Sequence, residues 1–360
     1  MCKDGFKFTT LLFLLCCIAS WAQAGAEVPI FSEQRVVLQA ASEVQQRRAI
    51  ADALEQVLKR ASGLDVLPRH AALIQAQRDP MPLLRSFELA DSDILLPNAI
   101  GNLEPTNKLQ LVFDNKGVLD LLAAMNLPYW GSPRPQTLVV IAAPQGEIVD
   151  VVTDWSAAPV VADVIAMAAA QGLPLIWPEL NLDELLLLHP DDLWLGLQQP
   201  LQTMAERYSA KLVLGGHIDY DVAQEQWIGR WQLVDEQLHL LQVVSGASIA
   251  EVVAPAMAWV REYLSAQYAI AAGGDVFDYR LRVSLVDNLS AQTQMSRYLM
   301  GLPGAQGVQV EQIEGASIVL RFATRASAEQ WLAWLELDNR LIPTRPISVD
   351  DQWMEFEWHG

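Results

Sequence analysis

Residues 127–142, LPYWGSPRPQTLVVIA, decide how this chain divides. Pro128 halts a helix, Gly131 permits a sharp turn, and Pro133 and Pro135 force the residues before them into extended backbone. The run TLVVIA, 137–142, is almost continuously apolar, as expected of a strand buried on both faces. A stiff crossing that runs into a buried strand reads as a hinge between two regions. Trp130 is then expected to plug the seam, and Arg134, held between two prolines, to pair with a carboxylate across it. The other reading is a ligand-contacting loop in which Trp130 and Arg134 bind.

Upstream, 28–40 alternates as a strand does, and Ser42 opens the helix SEVQQRRAIADALEQVLKRASG. Val44, Ile50, Leu54, Val57 and Leu58 recur at helical spacing, Glu43/Arg47 and Glu55/Lys59 stand four apart in the favourable order, and Gly63 follows as the stop. A short helix over 70–76, strands over 87–90 and 109–113, and a helix over 118–125 complete this region. Downstream, strands and helices alternate to about residue 270, with strands over 211–220, 227–234 and 238–244 and a closing helix over 249–268. Alternation of this kind argues for helices packed on a mixed sheet. After the soft break Ala271-Ala272-Gly273-Gly274, a strand at 279–285, a helix at 291–300, strands at 308–313 and 317–322 and the helix SAEQWLAWLEL give a βαββα order. That is the ferredoxin-like plan, completed by 340–342 or 353–358. The expected fold class is α/β and α+β multidomain: mixed sheets with packed helices, plus a C-terminal ferredoxin-like unit. The expected domains are 25–135, 136–271 and 275–360.

Residues 1–24 read as a secretory signal peptide. Lys3 and Lys7 precede an apolar run over 8–18, and Ala22-Gln23-Ala24 supplies small residues before Gly25. The run is shorter than the roughly 20 residues that span a bilayer, so cleavage after Ala24 is expected rather than retention as an anchor. Leu15 before Cys16 argues against lipoprotein processing. Cys2, Cys16 and Cys17 all fall in this segment, which leaves the expected mature chain without a disulfide, thiol nucleophile or thiolate ligand. The whole chain carries a formal charge of −19, and losing Lys3, Lys7 and Asp4 makes it one unit more negative. Such a surface repels phosphate backbones and anionic headgroups, which disfavours nucleic-acid binding.

The inventory of reactive groups is thin. His70, His189, His217, His239 and His359 show no metalloprotease spacing, and neither a phosphate loop nor a nucleophile elbow occurs. The best metal candidate is GGHIDYD, where period two puts His217, Asp219 and Asp221 on one strand face. An imidazole and two carboxylates there could hold a divalent ion. The simpler reading has Leu212, Leu214, Ile218 and Tyr220 facing the core and the polar residues facing water. Asp183-Glu184 and Asp191-Asp192 could be drafted as hydrolytic carboxylates, but adjacent carboxylates on a helix do not face each other, and they fit better as helix-entry charges. In WIGRW, Trp227 and Trp231 share a strand at even spacing, a stripe that could grip a ligand or serve cross-strand packing. Trp331 and Trp334 fit a helix core face.

RAIADALEQVLKRASG at 48–63, LVFD at 111–114 and LPYWGSPRPQTLVVIA occur in this order after the leader. The ordered set resembles an exported gammaproteobacterial family catalogued as a domain of unknown function, serial two-zero-six-six. The resemblance is strongest over 28–145 and extends through LPLIWPELN, RYSAKLVLGGH and WIGRW to the C-terminal unit. It implies export and supplies no activity, cofactor or catalytic residue. The expectation is therefore a periplasmic, non-catalytic binding or adaptor module of the cell envelope, without a cofactor. Its partner is expected to be an envelope protein or a peptidoglycan-associated one. A carboxylate- or metal-dependent hydrolase and a small-ligand binder at the Trp130 seam are the alternatives.

Overall fold

The computed structural model describes residues 25–98, 100–271, 273–347 and 353–360; the expected leader, 1–24, lies outside the described residues. The N-terminal part runs β1 (Gly25–Ala26), β2 (Ser32–Leu38), α1 (Glu43–Ser62), α2 (Ala71–Arg78), β3 (Leu84–Pro97), β4 (Leu103–Phe113) and α3 (Asn115–Ala124). Ser42 and Gln45 close a capping box at the start of α1, and Gly63 ends the helix at φ 74°. Each satisfies backbone groups that a helix end leaves open. Strands β2, β4 and β3 form an antiparallel sheet in that order. Leu109, Leu111 and Phe113 of β4 pack with Leu54, Val57 and Leu58 of α1 into a core of their own.

The central part contains β5 (Arg134–Pro135), β6 (Thr137–Gln145), β7 (Ile148–Val152), α4 (Pro159–Gln171), β8 (Leu175–Ile176), α5 (Leu182–Leu187), α6 (Pro190–Leu195), α7 (Gln198–Tyr208), β9 (Leu212–Asp221), β10 (Gln226–Val234), β11 (His239–Gly246) and α8 (Ile249–Tyr268). The sheet runs β11-β10-β9-β6-β7, with β8 also on β6. It is mixed, because β6 lies parallel to β9 and antiparallel to β7. Residues 138–143 of β6 are buried on both faces. On one face Val139 and Ile141 meet α4 and α8, and on the other Leu138 and Val140 meet α6 and α7. Two glycines of β9 make this double packing fit. A Cβ on Gly215 would stand 2.5 Å from Leu201 of α7, and one on Gly216 would stand 2.4 Å from the Trp231 ring.

The C-terminal part contains β12 (Phe277–Ser284), α9 (Leu289–Gly301), β13 (Ala305–Glu314), β14 (Ser317–Thr324), α10 (Ala328–Leu335), β15 (Leu341–Pro343) and β16 (Trp353–Trp358). The sheet order β13-β14-β12-β16-β15 contains the expected βαββα core. Its completion departs from the simple ferredoxin-like plan. Both candidate segments are used: β15 and β16 form an antiparallel pair, and the later strand, β16, sits beside β12 and runs parallel to it. Trp331 and Trp334 are buried in a cluster that continues without a break into the central part, through Val260, Leu264 and Tyr268 of α8.

Replacing Gly216 by alanine pushes a methyl group into the Trp231 ring. A loss of about 1–3 kcal/mol is expected for such overpacking, read as a lowered urea midpoint with an unchanged slope. An unchanged midpoint contradicts the packing described.

Candidate functional site

Two helix ends and one loop meet at Arg134, and the loop is the stretch at 129–135. The side chain is fully buried. Its Nε donates to the Gly131 carbonyl at 3.1 Å, Nη1 to the carbonyls of Gln171 and Gly172 at 3.0 Å each, and Nη2 to those of Arg60 at 2.6 Å and Trp130 at 2.8 Å. The guanidinium lies 3.8 Å over the Trp130 ring, a cation–π contact in a desolvated place. The expected carboxylate partner is absent from this set; backbone carbonyls at the C-termini of α1 and α4 take its role. Those ends carry the negative pole of each helix and unpaired acceptors, so one planar fork serves where a carboxylate would serve once. Burial pulls the guanidinium down to about 9, Tyr129 opposing and Arg60 adding to the shift, and at neutral pH it stays charged. Arg60 works beside it, donating to Ser32 and Ala170 carbonyls and pairing with Glu33. Trp130 and Arg134 are thus part of the scaffold and are closed to a ligand.

In front of this seam lies a cleft of about 1110 Å³. Gly25, Glu27, Ser132 and Pro133 form one wall, Tyr208 to Ala210 another, and Gln294, Arg297, Tyr298, Trp334, Asp338, Arg340 and Trp358 the third. The first wall is held by β1 pairing with β5 and by the Gly25 amide donating to the Leu337 carbonyl at 3.0 Å. On the third wall the Tyr298 hydroxyl donates to Asp338 Oδ1 at 2.9 Å, and its ring lies 5.5 Å from Trp358. Arg340 stands 3.7 Å from Asp338 and 5.7 Å from the Tyr298 ring. Burial, reinforced by Asp338, pushes the Tyr298 phenol well above its ordinary range, so it remains a donor. Burial likewise raises Tyr208 to about 12, with its hydroxyl bonded to Glu184. Arg297 is exposed and forms no ion pair among the described residues. The cleft therefore offers a free cation, a fixed aromatic wall and several hydroxyl and amide groups, a set suited to binding and orienting.

The remaining sequence candidates lie elsewhere. His217, Asp219 and Asp221 do share a sheet face, since His217 pairs with Arg230 and Asp219 with Ile228. They are not gathered about one point. His217 is buried under Trp194, ring centroids 4.9 Å apart. The Asp219 carboxylate accepts from the Tyr220 amide, and Asp221 accepts from Ala223 and Gln224 in the β9–β10 turn. Among the described residues no group of three or more His, Cys, Asp or Glu is placed to hold a metal ion. Tyr220, expected in the core, is 41% exposed. Pairing of β9 with β6 ends at His217, and the hairpin beyond it outruns the core, so Tyr220 lies edge-on to half-buried Trp227, ring centroids 5.3 Å apart. Trp231 is buried and donates to the Val252 carbonyl at 2.9 Å. Glu184 is also buried, accepting from Leu180, Asn181, Arg207 and Tyr208. Asp192 caps α6 through the His189 amide. The cleft residues of the C-terminal part escape sequence reasoning, because nothing in their spacing links 297, 298, 338, 340 and 358.

One family model matches, over residues 26–131, and is described as a domain of unknown function, DUF8605. The match takes in α1 and Trp130 and stops short of Arg134. No curated protein matches the sequence.

Lysine at 134 keeps the charge but cannot fork to the five carbonyls that the guanidinium reaches. Arg134→Lys is expected to cost roughly 2–4 kcal/mol, measured by urea unfolding; a loss within error contradicts the role given to this side chain. His217 supplies a pH test. Burial lowers its pKa below the ordinary value of 6.5, with Asp219 and Asp191 opposing and Arg230 adding to the shift. The unfolded chain then takes up the proton first, so this contribution to stability falls as pH drops below 6.5. His217→Phe should lose less stability than wild type between neutral pH and mild acid, and parallel losses in the two proteins refute the assignment.

Proposed function

We propose that the protein is exported to the periplasm and acts there as a binding or adaptor module of the cell envelope. In this reading an envelope protein or a peptidoglycan-associated partner places a segment in the cleft between the central and C-terminal parts. The observation that carries it is the cleft itself, with Arg297 exposed and without an ion pair among the described residues, on the same wall as Tyr298, Trp334 and Trp358. A protein of net charge −19 that leaves an arginine free on a concave aromatic wall is disposed to receive an anionic group flanked by apolar or planar ones. Support for export comes from the leader anatomy and from the confinement of all three cysteines to 1–24. No helix among the described residues is long and apolar enough to cross a membrane. The ordered motifs resemble those of an exported gammaproteobacterial family, which supports the same reading.

Hydrolysis at the acidic pairs draws no support from the geometry. Glu184 is consumed by four donors, and Asp192 by a helix cap. A small-ligand site directly against Trp130 is closed by burial; a small ligand has room in the adjoining cleft instead.

Two measurements test the proposal. The intact mass of protein purified from its own cells should correspond to a chain beginning at Gly25, and a chain retaining Met1 contradicts export with cleavage. A photo-crosslinking amino acid at Gln294, on the cleft wall, should capture an envelope component in intact cells. The same group at exposed Ile148 should not, and Arg297→Glu should abolish the Gln294 adduct. Equal labelling at both positions, or indifference to Arg297→Glu, overturns the cleft as the binding site.

A further inference from the structure

The outer strands of the three large sheets are protected in ways common to soluble proteins, with one exception among the described residues. β2 carries Glu33 and Arg35. β3 carries Glu88 and Asp91 and is broken by two register shifts. β13 carries Glu311 and Glu314 and is broken twice as well. β7 is five residues long with Asp150 at its centre, β8 is two residues long, and β15 is three residues ending at Pro343. The exception is β11, HLLQVVSG. It pairs with β10 over eight residues without a shift and contains no proline and no acidic, lysine or arginine side chain. Leu240, Leu241 and Val243 are 39%, 63% and 62% exposed. An unbroken edge of this length, without acidic, lysine or arginine side chains, presents a row of unpaired amides and carbonyls, and that arrangement is a template for another strand.

The sequence of β11 says which strand. In a two-fold arrangement the same strand meets itself antiparallel, and residues directly opposite each other share a sheet face. With the axis at Gln242, Leu241 faces Val243 of the other copy and Leu240 faces its Val244, so every one of these side chains meets an apolar partner. Centring on Leu241 sets His239 against Val243, and centring on Val243 sets Leu241 against Ser245. Only the Gln242 register pairs apolar with apolar on both faces. The surroundings extend the surface: Gly196 at the end of α6 lies against Leu241, and Leu195 beside it is exposed.

We infer that β11 is a self-pairing edge: two copies of this chain join antiparallel about Gln242 and continue the central sheet from one copy into the next. The inference stands on the sheet edge alone and is independent of what the cleft holds.

The test is the mass of the purified cellular protein by light scattering and sedimentation over a concentration series. Wild type is expected to show a dimer. Leu241→Lys, at an exposed position, is expected to keep the wild-type circular dichroism, with its melting temperature lowered only by the stabilisation that association gives the wild type. It should weaken association by roughly a hundredfold or more, because an ammonium group then meets apolar surface at two symmetric places. Adding Val243→Glu to Leu241→Lys sets each introduced ammonium opposite the carboxylate introduced in the other copy and should restore the dimer. A wild type that is monomeric throughout, or a Leu241→Lys chain that still dimerises, overturns the self-pairing edge. A double variant that stays monomeric overturns the Gln242 register.

Discussion

The buried Arg134 guanidinium, backed by Gln56 and Arg60, joins the first two regions. Helices α1 and α4 both end at the seam, and each leaves its last carbonyls without intrahelical partners. At α1 the Arg60 carbonyl is taken by Arg134 and the Ala61 carbonyl by the Trp130 amide. At α4 the Ala170 carbonyl is taken by Gln56 and Arg60, and those of Gln171 and Gly172 by Arg134. Two negative helix poles are thereby brought together around one positive plane, and Trp130 closes its other side. Without the Arg134 charge the Arg60 and Gly172 carbonyls would lose that donor while buried, which costs more than the bonds themselves contribute. Glycine at 172 follows from the same crowding: at φ 68° a Cβ there would stand 2.8 Å from Arg134 Nη1.

The cleft is a consequence of that seam. The segment that carries Arg134 also carries β5, which pairs with β1, and so the first described residues are laid along one wall of the cleft. The C-terminal part is tied to the same place from the other side. Trp334 Nε1 donates to the Tyr268 carbonyl, Gln330 to that of Ala269, and Tyr129 exchanges amide bonds with Ile270. The shared core around α8 and α10 then fixes the aromatic wall relative to the central sheet. A cleft assembled this way draws on residues far apart in the sequence.

Much of the fold is legible in the sequence because it depends on local rules. The start of α1 after Ser42 and its stop at Gly63, the span of α8 and the apolar run of β6 all follow from spacing and punctuation within a few residues. The stretch at 127–142 reads as a stiff crossing for the same reason. The partner of Arg134 does not follow, since a carboxylate is the usual expectation for a buried arginine and helix-end carbonyls have no sequence signature. Tyr220 is misplaced by its sequence pattern because strand alternation says which face a residue takes and not where its neighbour strand stops. The parallel placement of β16 depends on the hairpin it makes with β15, which no periodicity specifies. The cleft is the extreme case: Glu27, Ser209, Tyr298, Asp338 and Trp358 are joined only by tertiary structure.

If one guanidinium holds the seam, the three segments it bonds should open together. Hydrogen exchange read by mass spectrometry on peptides covering 57–63, 129–135 and 168–174 measures this in the native protein. Common opening free energies in the wild type, lowered by the same amount in all three when Arg134 is replaced, are the predicted result. Opening that stays independent in each segment, or a change confined to 129–135, contradicts it.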